Sequence, residues 1–218
     1  TGDFKVDYTP VYGDTIDLQR FAELGKKGVL ALLCDSTNAE RPGFTPSERT
    51  LGSVFDTLFE EHKKTRIIIA TFASNVSRIQ MAMDAAMAFD RKVCVFGRSM
   101  VNVVKIAREL GYLQVPDSLF IDPEELSRYS DNRLMILTTG SQGEPMAGLS
   151  RMATGSHRQV QIHAGDTVII SASPIPGNEI GVGRTIDALM KLGAHVVSSE
   201  NAKVHVDRKS TRQNSSHW

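Results

Sequence analysis

Two aspartates of this chain lie where a side chain is well placed for chemistry. Asp3 falls in residues 1–5 and Asp35 in residues 34–38, each where an apolar or extended run gives way to small, turn-forming residues. In α/β enzymes, strand ends are where catalytic and binding groups are placed. Asp3 is so close to the first residue that the strand expected before it is missing. We therefore expect the chain to be a portion of a larger protein.

Three loops also follow predicted strands and open predicted helices. They span residues 71–76, 138–145 and 171–178, and they are rich in Ser, Thr, Asn and Gly. Their backbone N–H groups would point to a shared edge of a sheet, and small residues let a phosphate approach the backbone. An ordinary strand-to-helix turn with a capping residue would explain any one loop. Three loops on one edge favour a binding crevice.

Strand-like apolar runs alternate with amphipathic stretches of helical length along the whole chain, which predicts a layered sheet of βαβ units. The predicted strands are 29–34, 67–71, 92–96, 134–138, 167–171 and 195–198. The predicted helices are 45–64, one capped by Ser74 or Asn75, 100–110, a short one at 122–126, one after Pro145, and 178–192. The expected fold class is α/β with a mostly parallel sheet.

The composition fits one globular domain, or one domain plus part of another. The 218 residues are 41% hydrophobic and carry 25 basic and 25 acidic side chains, so the net charge is zero. Any nucleic-acid site must therefore come from a local groove. Arginines do occur beside the polar loops, at Arg78, Arg151, Arg158 and Arg184. Acidic residues are interspersed with them, so an ordinary mixed surface is the alternative for each.

The two cysteines, Cys34 and Cys94, lie in apolar strand-like runs. We expect both to be buried small hydrophobic residues in a reducing compartment, and neither a disulfide nor a zinc pair. The longest apolar runs have the length of a strand, and no signal sequence opens the chain. These features predict a soluble, cytoplasmic protein without a membrane partner.

Five motifs, taken in order, resemble bacterial ribonuclease J, a family of metallo-β-lactamase nucleases with a β-CASP domain. The motifs are Thr-Gly-Asp-Phe-Lys at 1–5, Asp-Ser-Thr-Asn-Ala-Glu at 35–40, Thr-Phe-Ala-Ser-Asn-Val at 71–76, Gly-Ser-Gln-Gly-Glu-Pro at 140–145 and Ser-Pro-Ile-Pro-Gly-Asn-Glu at 173–179. The resemblance covers about residues 1 to 206. It implies a mostly parallel, Rossmann-like β-CASP sheet preceded by the end of a metallo-β-lactamase αββα domain.

The resemblance also implies a division of the chain and an activity. Residues 1–44 would be a partial metallo-β-lactamase domain, 45–203 the β-CASP domain, and 204–218 a remnant of the domain junction with a non-native tail. The family's activity is zinc-dependent cleavage of single-stranded RNA, as 5′-to-3′ exonuclease and endonuclease, in RNA maturation and decay. Two zinc ions would lie between the domains, and the full-length protein would be a homo-oligomer.

Site residues are carried over by position. Asp3 matches the aspartate that bridges both metal ions, a role that suits a carboxylate because each oxygen can bind one ion. Asp35 matches the acidic residue beside the metal centre, where it would orient a ligating histidine or pass a proton to the leaving oxygen. Without the resemblance, each aspartate would be interpreted as a turn or cap residue.

The remaining matched residues concern the RNA. Those expected to contact it are Ser74, Asn75 and Val76 in the first loop, Ser141, Gln142 and Glu144 in the second, and His205. Such groups would bind the phosphate or sugar of the RNA and would not form base-specific contacts. Arg78 and Arg151 are candidate phosphate partners, with solvated helix charges as the alternative.

The chain also departs from the family pattern. The His-x-His-x-Asp-His ligands would precede Thr1, and the six histidines have no metal-ligand spacing. His205 begins a Val-His-Val match, but residues 207–209 replace the expected Ser-Gly-His. The polar tail 207–218 resembles translated sequencing-adapter sequence, or else a divergent native end, and we expect it to be loosely packed.

These departures predict that the isolated chain is an incomplete and inactive fragment. Two other functions stay open: a non-catalytic nucleotide- or phosphate-binding α/β module, and a metallo-β-lactamase-fold hydrolase with another substrate. The β-CASP-like order of motifs after Asp35 counts against the second.

Overall fold

The structure is a computed structural model, and it describes residues 4–11, 13–36, 42 and 45–206. Asp3 and the tail 207–218 lie outside the described residues. The chain divides into two compact units, one of residues 1–50 with 206–218 and one of residues 51–205. The domain boundaries predicted at 44/45 and 203/204 stay predictions.

The larger unit contains a five-stranded sheet. Its strands are β1 (Ile67–Ala70), β2 (Lys92–Val95), β3 (Leu134–Thr138), β4 (Thr167–Ile170) and β5 (His195–Val197). They follow the order β2-β3-β1-β4-β5, and every pair is parallel. The predicted α/β class with a parallel sheet is confirmed.

Helices lie before the first strand and between successive strands, where a parallel sheet requires crossover connections. They are α1 (Leu18–Lys27), α2 (Thr50–Glu61), α3 (Val76–Ala88), α4 (Arg98–Glu109), α5 (Gly148–Ala153) and α6 (Glu179–Lys191). Three short 3-10 helices lie between β2 and β3, at Asp117–Leu119, Pro123–Arg128 and Asp131–Arg133. None of the helices in the described ranges is long and apolar enough to cross a bilayer.

The central strands are buried on both faces, which is why their sequences are almost continuously apolar. Ile68 pairs in register with Ile136 on one side and Val168 on the other. These side chains form one core cluster with Leu149 of α5 and Leu189 of α6. Because side chains alternate along a strand, the neighbouring isoleucines of β1 point to the opposite face, and they are equally buried.

Cys94 lies in this core, as predicted. It is buried, and burial, followed by the charge of Asp122, raises the pKa of its thiol to about 12. The prediction for Cys34 is wrong, because that cysteine is exposed.

The same correction applies to the predicted strand 29–34. The segment is not a strand, and Leu30, Leu32 and Leu33 are exposed. Burying an apolar strand requires neighbouring strands, and none of the ladders among the described residues includes this segment. The helix α1 directly before it was not predicted.

The predicted helix 45–64 is shorter than expected, because α2 begins at Thr50 and ends at Glu61. The residues before it are held in another way. The Ser47 hydroxyl donates to the Thr9 carbonyl at 2.8 Å, and the Glu48 N–H donates to the Asp7 carboxylate at 3.3 Å. Residues 47 and 48 are thus bonded to residues 7–9 ahead of the helix.

A buried ion pair links the amino ends of β1 and β4. The Arg66 guanidinium donates to both carboxylate oxygens of Asp166, at 3.1 Å from Nε and 2.5 Å from Nη2. Asp166 also accepts the His163 N–H at 2.7 Å. This pair lies at the opposite end of the strands from the three polar loops.

Candidate functional site

The carboxyl edge of the sheet brings the three predicted loops together. They follow β1, β3 and β4, which are adjacent in the sheet. The Thr71 N–H donates to the Thr138 carbonyl at 3.2 Å, and the Ser171 N–H donates to the Ala70 carbonyl at 2.9 Å. The Gln142 amide then donates to the Ser173 carbonyl at 2.9 Å. Backbone and side-chain bonds thus connect the three loops at one edge of the sheet, the edge where α/β domains bind ligands.

Asn75 shapes the first loop. Its side-chain oxygen accepts the Arg78 N–H at 3.2 Å and caps α3, so the asparagine is itself buried. Ser74 is exposed, and Val76, the first residue of α3, is half-buried. Within this predicted contact set, Ser74 is therefore the side chain most open to solvent.

Arg78 is a buried residue of this site. It is 0% exposed, although it was interpreted as a candidate phosphate partner or, alternatively, as a solvated helix charge. Its Nη1 donates to the Ser171 carbonyl at 2.8 Å and lies 2.7 Å from His205 Nδ1. A fully buried guanidinium is neither solvated nor open to a surface phosphate, so the exposed interpretation of Arg78 is wrong.

The contact with Arg78 determines the tautomer of His205. A guanidinium has only donors, so Nδ1 must accept, and the ring proton then lies on Nε2. The Ser171 hydroxyl also donates to the Val204 carbonyl at 2.6 Å. These bonds hold residues 204–205 against the carboxyl end of β4. His205 is thereby placed at the same edge as the other predicted contacts.

Gln142 connects the second loop to the third. It is 3% exposed, and its Oε1 accepts the Ile175 N–H at 2.7 Å and an Asn178 N–H at 3.4 Å. Ser141 beside it is also buried, whereas Glu144 is exposed and accepts the Gln142 N–H at 3.3 Å. The Gln142 amide is thus engaged inside the protein, and Glu144 reaches solvent.

The second loop packs against the start of α6 with no room for a side chain. Gly143 has φ of 71°, and a Cβ built there would lie 2.2 Å from the backbone carbon of Gly181. Only glycine permits both this backbone conformation and this approach. Gly143 was named in the loop motif, but its contact with α6 was not predicted.

Asp35 lies in the smaller unit, where it is half-buried. Asp3 is outside the described residues. Within the described residues, no three His, Cys, Asp or Glu side chains group together in a way that could hold a metal ion. The metal and catalytic roles of the two aspartates stay predictions.

Three of the described histidines, His62, His157 and His195, lie beside other aromatic rings. The rings of His62 and His195 lie 4.8 Å apart, and burial, followed by the charge of His195, lowers the pKa of His62. His157 lies 5.1 Å from the Phe96 ring, and burial, then Arg151, lowers its pKa.

The parallel sheet with polar loops at its carboxyl edge defines an α/β domain of the open-sheet, ligand-binding class. The family model described as "Ribonuclease J, beta-CASP domain" matches residues 64–189. That span contains β1 to β4 and nearly all of α6. The chain belongs to the ribonuclease J β-CASP family.

Curated relatives agree with this assignment. The chain is 47% identical over 213 residues to Ribonuclease J of Synechocystis sp., covering 98% of this chain and 33% of the relative. It is 46% identical over 207 residues to Ribonuclease J2 of Bacillus subtilis, covering 94% and 37%. It is 50% identical over 205 residues to Ribonuclease J 1 of Streptococcus pyogenes, covering 94% and 36%. The chain thus spans about a third of the length of these relatives.

Proposed function

We propose that this chain is part of a metal-dependent ribonuclease that cleaves single-stranded RNA, as 5′-to-3′ exonuclease and endonuclease, in RNA maturation and decay. One observation carries the proposal: three polar loops and His205 meet at the carboxyl edge of a parallel sheet in a domain of the ribonuclease J family. This edge supplies hydroxyl and imidazole groups, which suit phosphate and sugar better than base edges. We also propose a cytoplasmic location and a homo-oligomeric full-length protein.

In this proposal the predicted contact residues act in two ways, by direct contact with the RNA or by fixing the shape of a loop. Ser74 and Glu144 are exposed and would meet the RNA directly. Asn75 and Gln142 are buried, and they would act by fixing the shape of the first and second loops. His205 would offer its Nε2 proton to a phosphate oxygen, because Nδ1 is engaged with Arg78.

The metal centre would involve the two aspartates that the resemblance assigns, Asp3 and Asp35. Zinc, when bound, would activate water and stabilise charge on the phosphate. Asp3 would hold the metal and Asp35 would orient a ligand or carry a proton. The described residues contain no complete donor set, so we propose that the isolated chain has little or no nuclease activity.

The experiment compares this chain with a full-length protein of the family that contains it. RNA degradation and zinc binding by calorimetry are measured on both. We expect activity in the full-length protein, its loss in Asp3→Ala with unchanged circular dichroism, and neither tight zinc binding nor turnover by the isolated chain. Full activity of Asp3→Ala would refute the metal role.

A second candidate is a nucleotide- or phosphate-binding module without catalysis. The absence of a complete metal donor set among the described residues favours it for the chain alone. RNA binding in the presence of a chelator, together with no cleavage by the zinc-loaded full-length protein, would support this candidate over the nuclease.

A further inference from the structure

A pocket of about 670 Å³ opens on the surface of the larger unit, beside the second loop. We call it the cationic pocket, and its lining includes Pro145, Met146, Arg151, Ser156, His157 and Arg158. No Asp or Glu is among the residues that line it. Its first residue directly follows Glu144, so the pocket continues the loop that is predicted to contact RNA.

We propose that the cationic pocket binds a backbone phosphate of single-stranded RNA. The proposal depends on the proposed function only for the identity of the ligand. It adds a contact point beside the second carboxyl-edge loop, at side chains that follow that loop in the chain.

The two arginines supply the charge. Neither Arg151 nor Arg158 forms an ion pair with the described residues, whereas Arg128 and Arg133 on the same unit pair with Glu125 and Asp90. Arg151 is half-buried, and its Nη2 donates to the Ser156 carbonyl at a long 3.5 Å. Two guanidinium groups in one concave site without a carboxylate create a positive potential that favours an anion. Their planar donor pattern matches phosphate oxygens.

His157 adds a neutral donor of known tautomer. Its Nδ1 accepts the Val160 N–H at 3.1 Å, so the proton of the neutral ring is on Nε2. The ring is held edge-on to Phe96 at an interplanar angle of 85°. Burial and the adjacent Arg151 keep the pKa of His157 below its ordinary value, so the ring is neutral near pH 7. A fixed N–H beside two guanidinium groups suits a phosphate oxygen.

The surroundings favour a polynucleotide over a free anion. Met146 is 84% exposed at the pocket and offers an apolar surface to a nucleobase. A single strand held at Glu144 and its neighbours would pass directly onto Met146 and the arginines. A free phosphate ion would use the arginines but would gain nothing from Met146.

The test measures RNA binding by fluorescence anisotropy on the 218-residue chain, with chelator present so that no cleavage occurs. The probe is a labelled oligouridylate of about ten nucleotides, a length within the usual range of single-strand sites. The pocket variant carries Arg151→Gln with Arg158→Gln. The control carries Arg128→Gln with Arg133→Gln, which removes the same charge from arginines that pair with Glu125 and Asp90.

We expect the pocket variant to bind about tenfold more weakly, the scale of one charge-assisted hydrogen bond, and the control to change by less than about twofold. The slope of log K against log salt should fall by about 0.7 in the pocket variant, as for one lost phosphate contact on a single strand. Equal affinities for the pocket variant and the control would overturn the proposal.

Two further measurements distinguish an RNA site from an unfolded variant and from a site for free phosphate. Arg158 is exposed, so Arg158→Gln alone should fold and should show part of the loss if the double variant unfolds. Inorganic phosphate that competes only weakly, while Met146→Ser also weakens RNA binding, supports a polynucleotide site. Inorganic phosphate that binds the pocket while RNA affinity stays unchanged in every variant would overturn the RNA assignment. RNA binding that depends on the pocket, in a protein that never cleaves RNA, would refute only the proposed function.

Discussion

Replacing Gln142 by methionine tests whether this residue acts through the fold or only through the RNA. Methionine has nearly the same size but cannot make the bonds to Ser173 and Ile175, at 2.9 and 2.7 Å, or the weaker one to Asn178 at 3.4 Å. Ser173 is half-buried and Ile175 is 51% exposed, so water can replace part of what is lost. We therefore use the net value of a hydrogen bond and not the full cost of a buried unpaired group.

Two good bonds and one weak bond give a loss of about 2 kcal/mol in the free energy of unfolding. For a protein of this size, that corresponds to a fall in Tm of about 4–8 °C. The assay is thermal unfolding followed by circular dichroism and confirmed in urea. Gln159→Met is the matched control, because Gln159 is exposed and should change the free energy of unfolding by less than about 0.5 kcal/mol.

A Gln142→Met variant that melts with the control while losing RNA affinity would refute the structural role and leave a direct contact with the RNA. Gln142→Glu gives a second check. It retains an acceptor for the Ile175 N–H but places a carboxylate oxygen against the Ser173 carbonyl. Its stability should improve as the pH falls, since protonation of the new carboxyl restores a donor. A pH-independent defect would contradict this reasoning.

Three other substitutions test packing, charge and protonation. Gly143→Ala should lower the free energy of unfolding by about 2–3 kcal/mol. Gly155→Ala should lower it by about 1 kcal/mol, because Gly155 has a similar φ of 69° but open space around it. Urea unfolding of both variants measures the difference. Asp166→Asn removes the charge partner of a buried arginine and should cost about 3–5 kcal/mol, whereas Asp117→Asn breaks an exposed pair and should cost less than about 1 kcal/mol. The lowered pKa of His62 means that the folded state prefers the neutral ring. Its contribution to stability is therefore complete above pH 6.5 and declines as the pH falls below that value. His62→Phe should make the urea unfolding midpoint depend less on pH between about pH 7 and about pH 5.

The sheet was predictable because its signal is local. Each strand is a short, mostly apolar run between turn residues, and the run at 134–138 was predicted with the bounds that β3 has. The helix α3 was predicted to follow a cap at Ser74 or Asn75, and Asn75 is the cap. For these elements the local preference and the tertiary packing agree.

The first unit was predicted less well, for two different reasons. The run 29–34 is apolar enough for a strand, but apolarity indicates only a preference for burial, and forming a strand also needs partner strands. The helix α1 was missed although its signals are present. Asp17 caps it by accepting the Arg20 N–H at 2.8 Å, Leu18, Phe21 and Leu24 recur at helical spacing, and Gly28 follows it.

Arg78 illustrates what no local pattern can reveal about this site. On its helix it looks like any exposed arginine, yet two partners of its guanidinium, Ser171 and His205, lie 93 and 127 residues further along the chain. Only the parallel sheet brings the end of β4 next to the start of α3, and only then does a buried cation have acceptors to satisfy it. The consequence is functional as well as structural. His205 was matched to the family by a three-residue motif, but its ring proton is placed on Nε2 by Arg78 of α3, the first crossover helix. Any phosphate contact at His205 therefore depends on the integrity of α3 as much as on the segment that contains His205.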